Sequence, residues 1–119
     1  MAQTALLLTA VLLALIASQA PAAPANLYLS PSGNDAWSGT LAAANPDETD
    51  GPFATLTRAR DELRRLKAAG NLPEGATVHV REGLYRLAEP LKFGPEDSGT
   101  QGAPVVWRAY GKEAVTLAG

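Results

Sequence analysis

The sequence predicts a mainly β fold that contains a single α-helix. Beyond residue 75, apolar and polar residues alternate in several short segments, which is the period of a strand with one buried face. Glycine- and proline-rich stretches separate these segments, and only residues 55–69 carry the three- and four-residue apolar spacing of a helix. Short strands of this kind fit a sandwich, a barrel or a solenoid with several strands per coil.

The first 25 residues predict a cleaved secretory signal peptide. Residues 5–16 (ALLLTAVLLALI) form an uncharged apolar run that, at about 1.5 Å per residue, is too short to cross roughly 30 Å of hydrocarbon. Small residues and prolines follow, and their A-x-A spacing allows cleavage after Ala22 or after Ala25. We therefore expect residues 1–25 to direct export to the periplasm or the medium. An uncleaved anchor and a buried core helix are the alternatives.

Charge and cysteine content exclude several classes of protein. Ten Lys and Arg stand against twelve Asp and Glu, and the basic residues are dispersed, so no nucleic-acid surface is predicted. The absence of cysteine excludes disulfides, a thiolate metal site and a lipid anchor on an N-terminal cysteine. An exported chain without disulfides is typical of a bacterial product. No membrane association is expected after signal cleavage, and the sequence sets no oligomeric state.

The first mature segment predicts a strand and then a long loop. Residues 26–30 alternate and predict a strand, and the SGND run that follows supplies turn-forming residues. Residues 36–52 contain repeated Gly, Pro and Asn breakers and predict a loop.

Residues 55–69 predict an amphipathic helix with a defined start and end. Thr55 or Thr57 is a suitable N-cap, Gly70 is a suitable left-handed residue after the last turn, and Pro73 prevents continuation. Asp61 and Arg65 stand four residues apart, in the order that favours an ion pair. The apolar stripe of the helix consists of Leu56, Ala59, Leu63 and Leu66.

The rest of the chain predicts short strands at residues 76–81, 84–87, 91–93, 105–109 and 114–117. The last of these runs almost to Gly119 without a terminating helix or polar tail. We therefore expect the β-layer to be open at this end, as in the first part of a longer domain.

Four stretches in order carry a resemblance to a known superfamily. They are residues 27–35 (LYLSPSGND), 50–56 (DGPFATL), 75–85 (GATVHVREGLY), and 95–100 (PEDSGT) with 103–111 (APVVWRAYG). Together they resemble the start of secreted right-handed parallel β-helix enzymes of the pectate-lyase-like superfamily. The PEDSGT segment is most similar to the subset of glycoside hydrolases that act on plant cell-wall polysaccharide. The resemblance covers essentially the whole mature chain.

The resemblance implies that residues 26–119 form the N-terminal helical cap and the first coils of a parallel β-helix, truncated at the C-terminal end. Each coil of a solenoid buries its apolar face only against its neighbours, so the first coil needs a cover, and the amphipathic helix is suited to this. Inward strand positions are then expected at Val78, Val80, Leu91, Phe93, Val105, Trp107, Val115 and Leu117.

The sequence gives weaker evidence for catalytic residues than for the fold. Glycoside hydrolysis needs two carboxyl groups facing each other across the scissile bond, and the candidates are Asp35, Asp47, Glu48, Asp50, Glu82, Glu89, Glu96 and Asp97. Asp35, Asp47, Glu48 and Asp50 lie in loops, where carboxylates commonly terminate turns. Glu96 and Asp97 lie in a turn-rich segment, and Asp97-Ser-Gly predicts an Asx-type turn. We therefore expect no catalytic residue in this segment, because the chemistry of β-helix enzymes generally lies on middle coils.

Ligand-binding candidates are few. His79 alternates with Val78 and Val80, so its side chain is expected to point away from the interior, and no partner residue supports a zinc site or a nucleophile–histidine–acid triad. Trp37 is the candidate substrate-binding residue, because an aromatic face in a loop can stack on a sugar ring; packing of the cap is the alternative. No cofactor is evident, and the resemblance leaves calcium possible in the full-length protein.

Three functions fit this fold. The first is an exported glycoside hydrolase whose catalytic carboxylates lie downstream. The second is a polysaccharide lyase, which needs a strong base, commonly Lys or Arg with bound calcium. The third is a non-catalytic carbohydrate-binding protein or adhesin. Paired carboxylates on neighbouring coils would indicate hydrolysis, and Asp clusters with Lys or Arg would indicate elimination, so the discriminating residues are expected beyond residue 119.

Overall fold

The computed structural model describes residues 23–119, so nearly all of the predicted signal peptide lies outside the described residues. Their fold is mainly β with one α-helix, as predicted. The elements are β1 (Ala25–Leu29), α1 (Leu56–Ala68), β2 (Ala76–Val80), β3 (Gly83–Arg86), a 3-10 turn (Pro95–Asp97), β4 (Val105–Ala109) and β5 (Val115–Ala118). Within residues 23–119, no helix is long and apolar enough to span a bilayer.

All strand pairings among residues 23–119 are parallel. β1, β2 and β4 form a three-stranded sheet in that order, and β3 and β5 form a two-stranded sheet. Ala76 of β2 pairs with Val105 of β4, and Gly83 of β3 pairs with Val115 of β5. Two successive strand pairs therefore stack on each other in parallel register, with a two-residue turn between β2 and β3.

The helix has the predicted ends. The Thr55 side chain accepts a hydrogen bond from the Arg58 backbone N–H at 3.2 Å, and Gly70 has a φ of 75° after the last turn. The predicted Asp61–Arg65 pair is wrong: Arg65 bonds to Glu62, one residue nearer, and Asp61 bonds to its neighbour Arg60. Of the predicted stripe, Leu56, Ala59 and Leu63 are buried and Leu66 is half-buried.

The core lies between α1 and the inner face of the strands. Phe53, Leu29 and Val78 are its largest fully buried side chains. Phe53 also forms a parallel bridge with Leu29, on the side of β1 opposite β2. A β-carbon on Gly39 would collide with the Phe53 ring, so glycine is required there for the loop to close over the core. The helix and this loop therefore cover one end of the stacked strands.

The predicted strand at residues 91–93 is wrong. This segment has no strand partner, and the Lys92 carbonyl instead accepts a hydrogen bond from the Arg60 guanidinium at 2.8 Å. The Lys92 carbonyl is therefore engaged by α1 and not by a neighbouring strand. Two of the predicted inward positions are exposed, Phe93 by 52% and Leu117 by 54%, although both line the same concave surface as Val105 and Trp107. The remaining predicted positions are buried or partly buried: Val78, Val80, Leu91, Val105, Trp107 and Val115.

Candidate functional site

Three of the eight candidate acidic residues hold segments of backbone in place. Among residues 23–119, no hydrogen bond joins two carboxylates, and no group of three or more His, Asp or Glu could hold a metal ion. Five of the eight candidates are exposed: Asp47, Glu48, Glu82, Glu89 and Glu96. The other three, Asp35, Asp50 and Asp97, each organise a segment of backbone, as described next.

Asp35 connects the first loop to the start of α1. One carboxylate oxygen accepts hydrogen bonds from the backbone N–H groups of Ala54 and Thr55, at 2.8 and 3.0 Å, and the other accepts from the Thr55 hydroxyl at 2.7 Å. Arg58 donates to the Asp35 carbonyl at 3.0 Å and lies over the Phe53 ring, 4.5 Å from its centroid. Asp35 therefore acts as a structural acceptor that fixes the helix relative to the loop.

Asp50 and Trp37 organise the long loop. The Asp50 carboxylate accepts from the Ser38 backbone N–H at 2.8 Å and from the Ser38 hydroxyl at 3.0 Å, and these bonds lower the pKa of Asp50. Trp37, the candidate sugar-stacking residue, is half-buried in the same loop. A β-carbon on Gly51 would meet the Trp37 six-membered ring at 2.7 Å, so the indole packs closely on that backbone. Part of the Trp37 surface is therefore used within the loop.

Asp97 is bound to the helix and does not form the predicted Asx turn. Its two oxygens accept from Arg64, and one of them also accepts from the Gly94 backbone N–H at 2.7 Å. The hydrogen bonds from Arg64 lower the pKa of Asp97 to about 2. The PEDSGT segment is therefore held against α1 by a carboxylate that is ionised at neutral pH.

An aromatic cluster lies on the outer face of the three-stranded sheet. His79 stacks on Tyr28 with ring centroids 4.8 Å apart, and the Tyr110 ring meets both edge-on at about 6 Å. His79 points away from the core, as predicted, and its Nε2 lies 2.9 Å from the Asn26 side-chain oxygen. Burial and the neighbouring Arg108 lower the pKa of His79, which favours the neutral ring.

An ion pair that was not predicted lies beside this cluster. Arg81 donates to both carboxylate oxygens of Glu113, at 2.7 and 3.1 Å, and to the Ala42 carbonyl at 2.7 Å. The pair lowers the pKa of Glu113. Its members are 32 residues apart, which is also the offset of the β3–β5 register. Because this offset is known only from the structure, no local pattern of the sequence indicated the pair.

Two of the concave surfaces that residues 23–119 form beside the sheets include Leu56 of α1. The first, which we call the β3 groove, has a volume of about 840 Å³ and lies between the N-terminal end of α1 and the segment 84–92. The second, which we call the apolar end, has a volume of about 710 Å³. Its lining includes Leu91, Phe93, Val105, Trp107, Val115 and Leu117.

Comparisons with known proteins point to carbohydrate-active relatives. The chain is 37% identical over 93 residues to the uncharacterized protein YwoF of Bacillus subtilis, which covers 78% of this chain and 15% of that protein. It is 30% identical over 95 residues to the pectate lyase PEL9 of Emericella nidulans, which covers 80% of this chain and 18% of that protein. No family model matches the chain.

A solved structure named as a glycoside hydrolase is also similar. It superposes with a TM-score of 0.66 and 34% sequence identity, over 80% of this chain and 15% of that protein. The chain therefore spans only 15–18% of the length of these relatives. The similarity links it to carbohydrate-active proteins through a segment that makes up a small part of each.

Proposed function

We propose that this chain is the N-terminal cap and first coils of a right-handed parallel β-helix, in an exported protein that acts on polysaccharide. In this proposal the protein is a glycoside hydrolase, and its catalytic carboxylates lie in coils beyond Gly119. The observation that carries the proposal is that both sheets end, side by side, at the apolar end, whereas α1 covers the opposite end of the stack.

The hydrogen-bonding pattern supports the addition of further coils. In β4, the hydrogen bond from the Tyr110 N–H to the Val80 carbonyl shows that the backbone N–H and C=O groups of the even-numbered residues point toward β2. The backbone groups of Val105, Trp107 and Ala109 therefore point to the other edge, where no described residue bonds to them. The same pattern leaves Val115 and Leu117 of β5 open on the same side. One further coil could pair with both edges.

The apolar end supports the same arrangement. Phe93 and Trp107 meet edge-on there, with ring centroids 5.5 Å apart, and more than half of the Phe93 and Leu117 surface is exposed. Exposed apolar surface of this kind marks an interaction site. A coil with inward-facing aliphatic residues would bury it, as each coil of a solenoid buries the next.

The polysaccharide part of the proposal rests on the relatives. Two of the three similar proteins are named as enzymes of polysaccharide or glycoside cleavage. The Asp35, Asp97 and Glu113 carboxylates hold backbone groups or cationic side chains, and among residues 23–119 no group of three or more His, Asp or Glu could hold a metal ion. We therefore place the cleavage chemistry elsewhere in the polypeptide and assign this segment the role of sealing the solenoid.

A polysaccharide lyase is the second candidate, favoured by the similarity to pectate lyase PEL9. Elimination removes a proton next to a uronate carboxylate and leaves an unsaturated product, whereas hydrolysis leaves a saturated reducing end. A non-catalytic carbohydrate-binding protein on the same fold is the third candidate.

The test is an assay of the full natural polypeptide, purified from the medium or the periplasm, on pectin, polygalacturonate, xylan and arabinan. New reducing ends without ultraviolet-absorbing unsaturated products would support the hydrolase. Unsaturated products that disappear after chelation of calcium would establish the lyase in its place. Binding without cleavage would leave the non-catalytic protein, and neither cleavage nor binding would overturn the polysaccharide proposal.

A further inference from the structure

The β3 groove contains the open edge of a strand. The backbone N–H groups of Gly83 and Leu87 donate to the carbonyls of Ala114 and Ala118. The backbone N–H and C=O groups of the odd-numbered residues in this segment therefore point toward β5. Because the backbone of a strand alternates with a period of two, the N–H and C=O groups of Leu84 and Arg86 point to the opposite edge. Among residues 23–119, no hydrogen bond is made to these groups.

This edge stays accessible when coils are added. β5 occupies one side of β3, so any strand that pairs beyond β5 extends the sheet away from the groove. Pro31 packs beside Gly83 at one end of the groove, and Thr55 and Thr57 form the facing wall. Proline is a common guard against edge pairing, yet here it covers only the first residue of β3. The backbone groups of Leu84 and Arg86 lie past it.

The charge of the groove selects an acidic occupant. Three cationic side chains line it, Arg60, Arg86 and Lys92, against one carboxylate, Glu89. Arg60 is already bound to Asp61 and to the Lys92 carbonyl. Neither the Arg86 guanidinium nor the Lys92 ammonium has a hydrogen-bond or ion-pair partner among the described residues, so both are available to a ligand.

We propose that the β3 groove binds an extended acidic peptide of another polypeptide, which adds as a strand to the free edge of β3. The two open backbone positions are about 6.6–6.8 Å apart along the strand, which is the repeat at which another strand presents its own donors and acceptors. Arg86 and Lys92 then pair with acidic side chains of the peptide. Leu84, which is 44% exposed, supplies an apolar contact. This site is independent of the polysaccharide chemistry.

The probe for the test is a fluorescently labelled, capped hexapeptide of alternating Val and Asp, titrated into the full natural polypeptide. We expect saturable binding, with amide hydrogen exchange at Leu84 and Arg86 slowed by the peptide. A hexapeptide of alternating Val and Lys should not bind, because it carries the same charge sign as the groove. Absence of binding by the acidic peptide, or binding without slower exchange at these two amides, would overturn the proposal.

Two substitutions separate the charge from the edge. Arg86→Glu should weaken binding of the acidic peptide at least about tenfold. Arg108→Glu is the same charge reversal on the outer face of the other sheet, and it should leave the binding affinity unchanged. Leu84→Pro removes a free N–H but no bond between β3 and β5, so it should abolish peptide binding and leave the sheet intact. Equal effects of the two reversals would contradict the site. Binding of oligogalacturonate in place of the peptide, lost with Arg86→Glu, would assign the groove to carbohydrate and overturn the proposal.

Discussion

The Arg64 guanidinium donates two hydrogen bonds, of 2.7 and 2.6 Å, to the two carboxylate oxygens of Asp97. The two residues are 33 positions apart, and the Asp97 side chain is 6% exposed. Together with bonds from Arg60 and Lys67, the pair therefore holds the segment between β3 and β4 on the helix. Paired, charge-assisted bonds of this geometry are stronger than those of a single surface ion pair.

The first prediction concerns this pair. Asp97→Asn should lower the free energy of unfolding by about 2 kcal/mol, because a buried charged acceptor of Arg64 and of the Gly94 N–H is lost. Glu96→Gln is the matched control: Glu96 also contacts Arg64, at 3.1 Å, but its side chain is 53% exposed, and we expect a loss below about 1 kcal/mol. Urea denaturation checks both, and equal losses would mean that the buried geometry adds nothing.

The second prediction concerns pH. The hydrogen bonds from Arg64 lower the pKa of Asp97 from 3.8 to about 2 in the folded chain. A lowered carboxyl pKa stabilises the fold above the unfolded value, and this stabilisation is lost as the pH falls through the folded value. Stability should therefore decrease between about pH 4 and about pH 2. In Asp97→Asn, the urea midpoint should depend less on pH in this range. An unchanged dependence would assign the loss of stability in acid to other carboxylates.

Local patterns were sufficient to predict most of the elements. The helix stripe, its Thr55 cap and the alternation of Val78 with His79 depend on neighbours in sequence, and the structure has each of them. The prediction of a strand at residues 91–93 was wrong because it used only the local alternation of residues. The hydrogen bond that this segment makes is to a residue distant in sequence. The Lys92 carbonyl accepts from Arg60, 32 residues earlier, and no periodicity of the sequence reports such a contact.

The candidate site was less predictable for the same reason. Asp35, Asp50 and Asp97 are ordinary acidic residues in turns, and only the fold shows that they hold backbone groups up to 20 residues away or an arginine on α1. Buried Glu62 was not anticipated either, although its charge is compensated by Arg58 and Arg65, four residues before it and three residues after it on the same helix. The pairing of β3 with β5, which leaves the backbone of Leu84 at an open edge, is likewise visible only in the folded structure.

The third prediction concerns the contact between α1 and the strands. Leu63 is 6% exposed and belongs to the core, so Leu63→Asp should cost about 3–5 kcal/mol by burying an unpaired charge. Leu66→Asp, one turn away at a half-buried position, should cost clearly less. Thermal and urea unfolding of both variants check this order. A tolerated Leu63→Asp would show that the helix does not cover the core.

The fourth prediction separates backbone strain from steric collision. Gly70 and Gly75 both have positive φ, of 75° and 83°, but a β-carbon on Gly70 meets nothing within 4 Å, whereas one on Gly75 would collide with the backbone of Pro104. Gly70→Ala should therefore cost about 1 kcal/mol, from strain alone. Gly75→Ala should cost about 3 kcal/mol or more, because the segment before β4 must move. Equal losses in urea denaturation would mean that Pro104 yields freely.

The fifth prediction chooses between the two signal-peptidase sites. The Ala25 backbone N–H donates to the Gly75 carbonyl at 3.1 Å, and Ala25 is the first residue of β1, paired with Ala76. Cleavage after Ala25 would remove this residue and put a charged amine at the start of the ladder, whereas cleavage after Ala22 leaves β1 complete. We therefore expect the exported chain to begin at Ala23, as read by intact-mass measurement and N-terminal sequencing. Ala22→Asp, which places a charge at the residue before the cut, should block this processing. A mature chain that begins at Asn26 would show that the first pair of β1 is dispensable, and an unprocessed chain would contradict export through this signal.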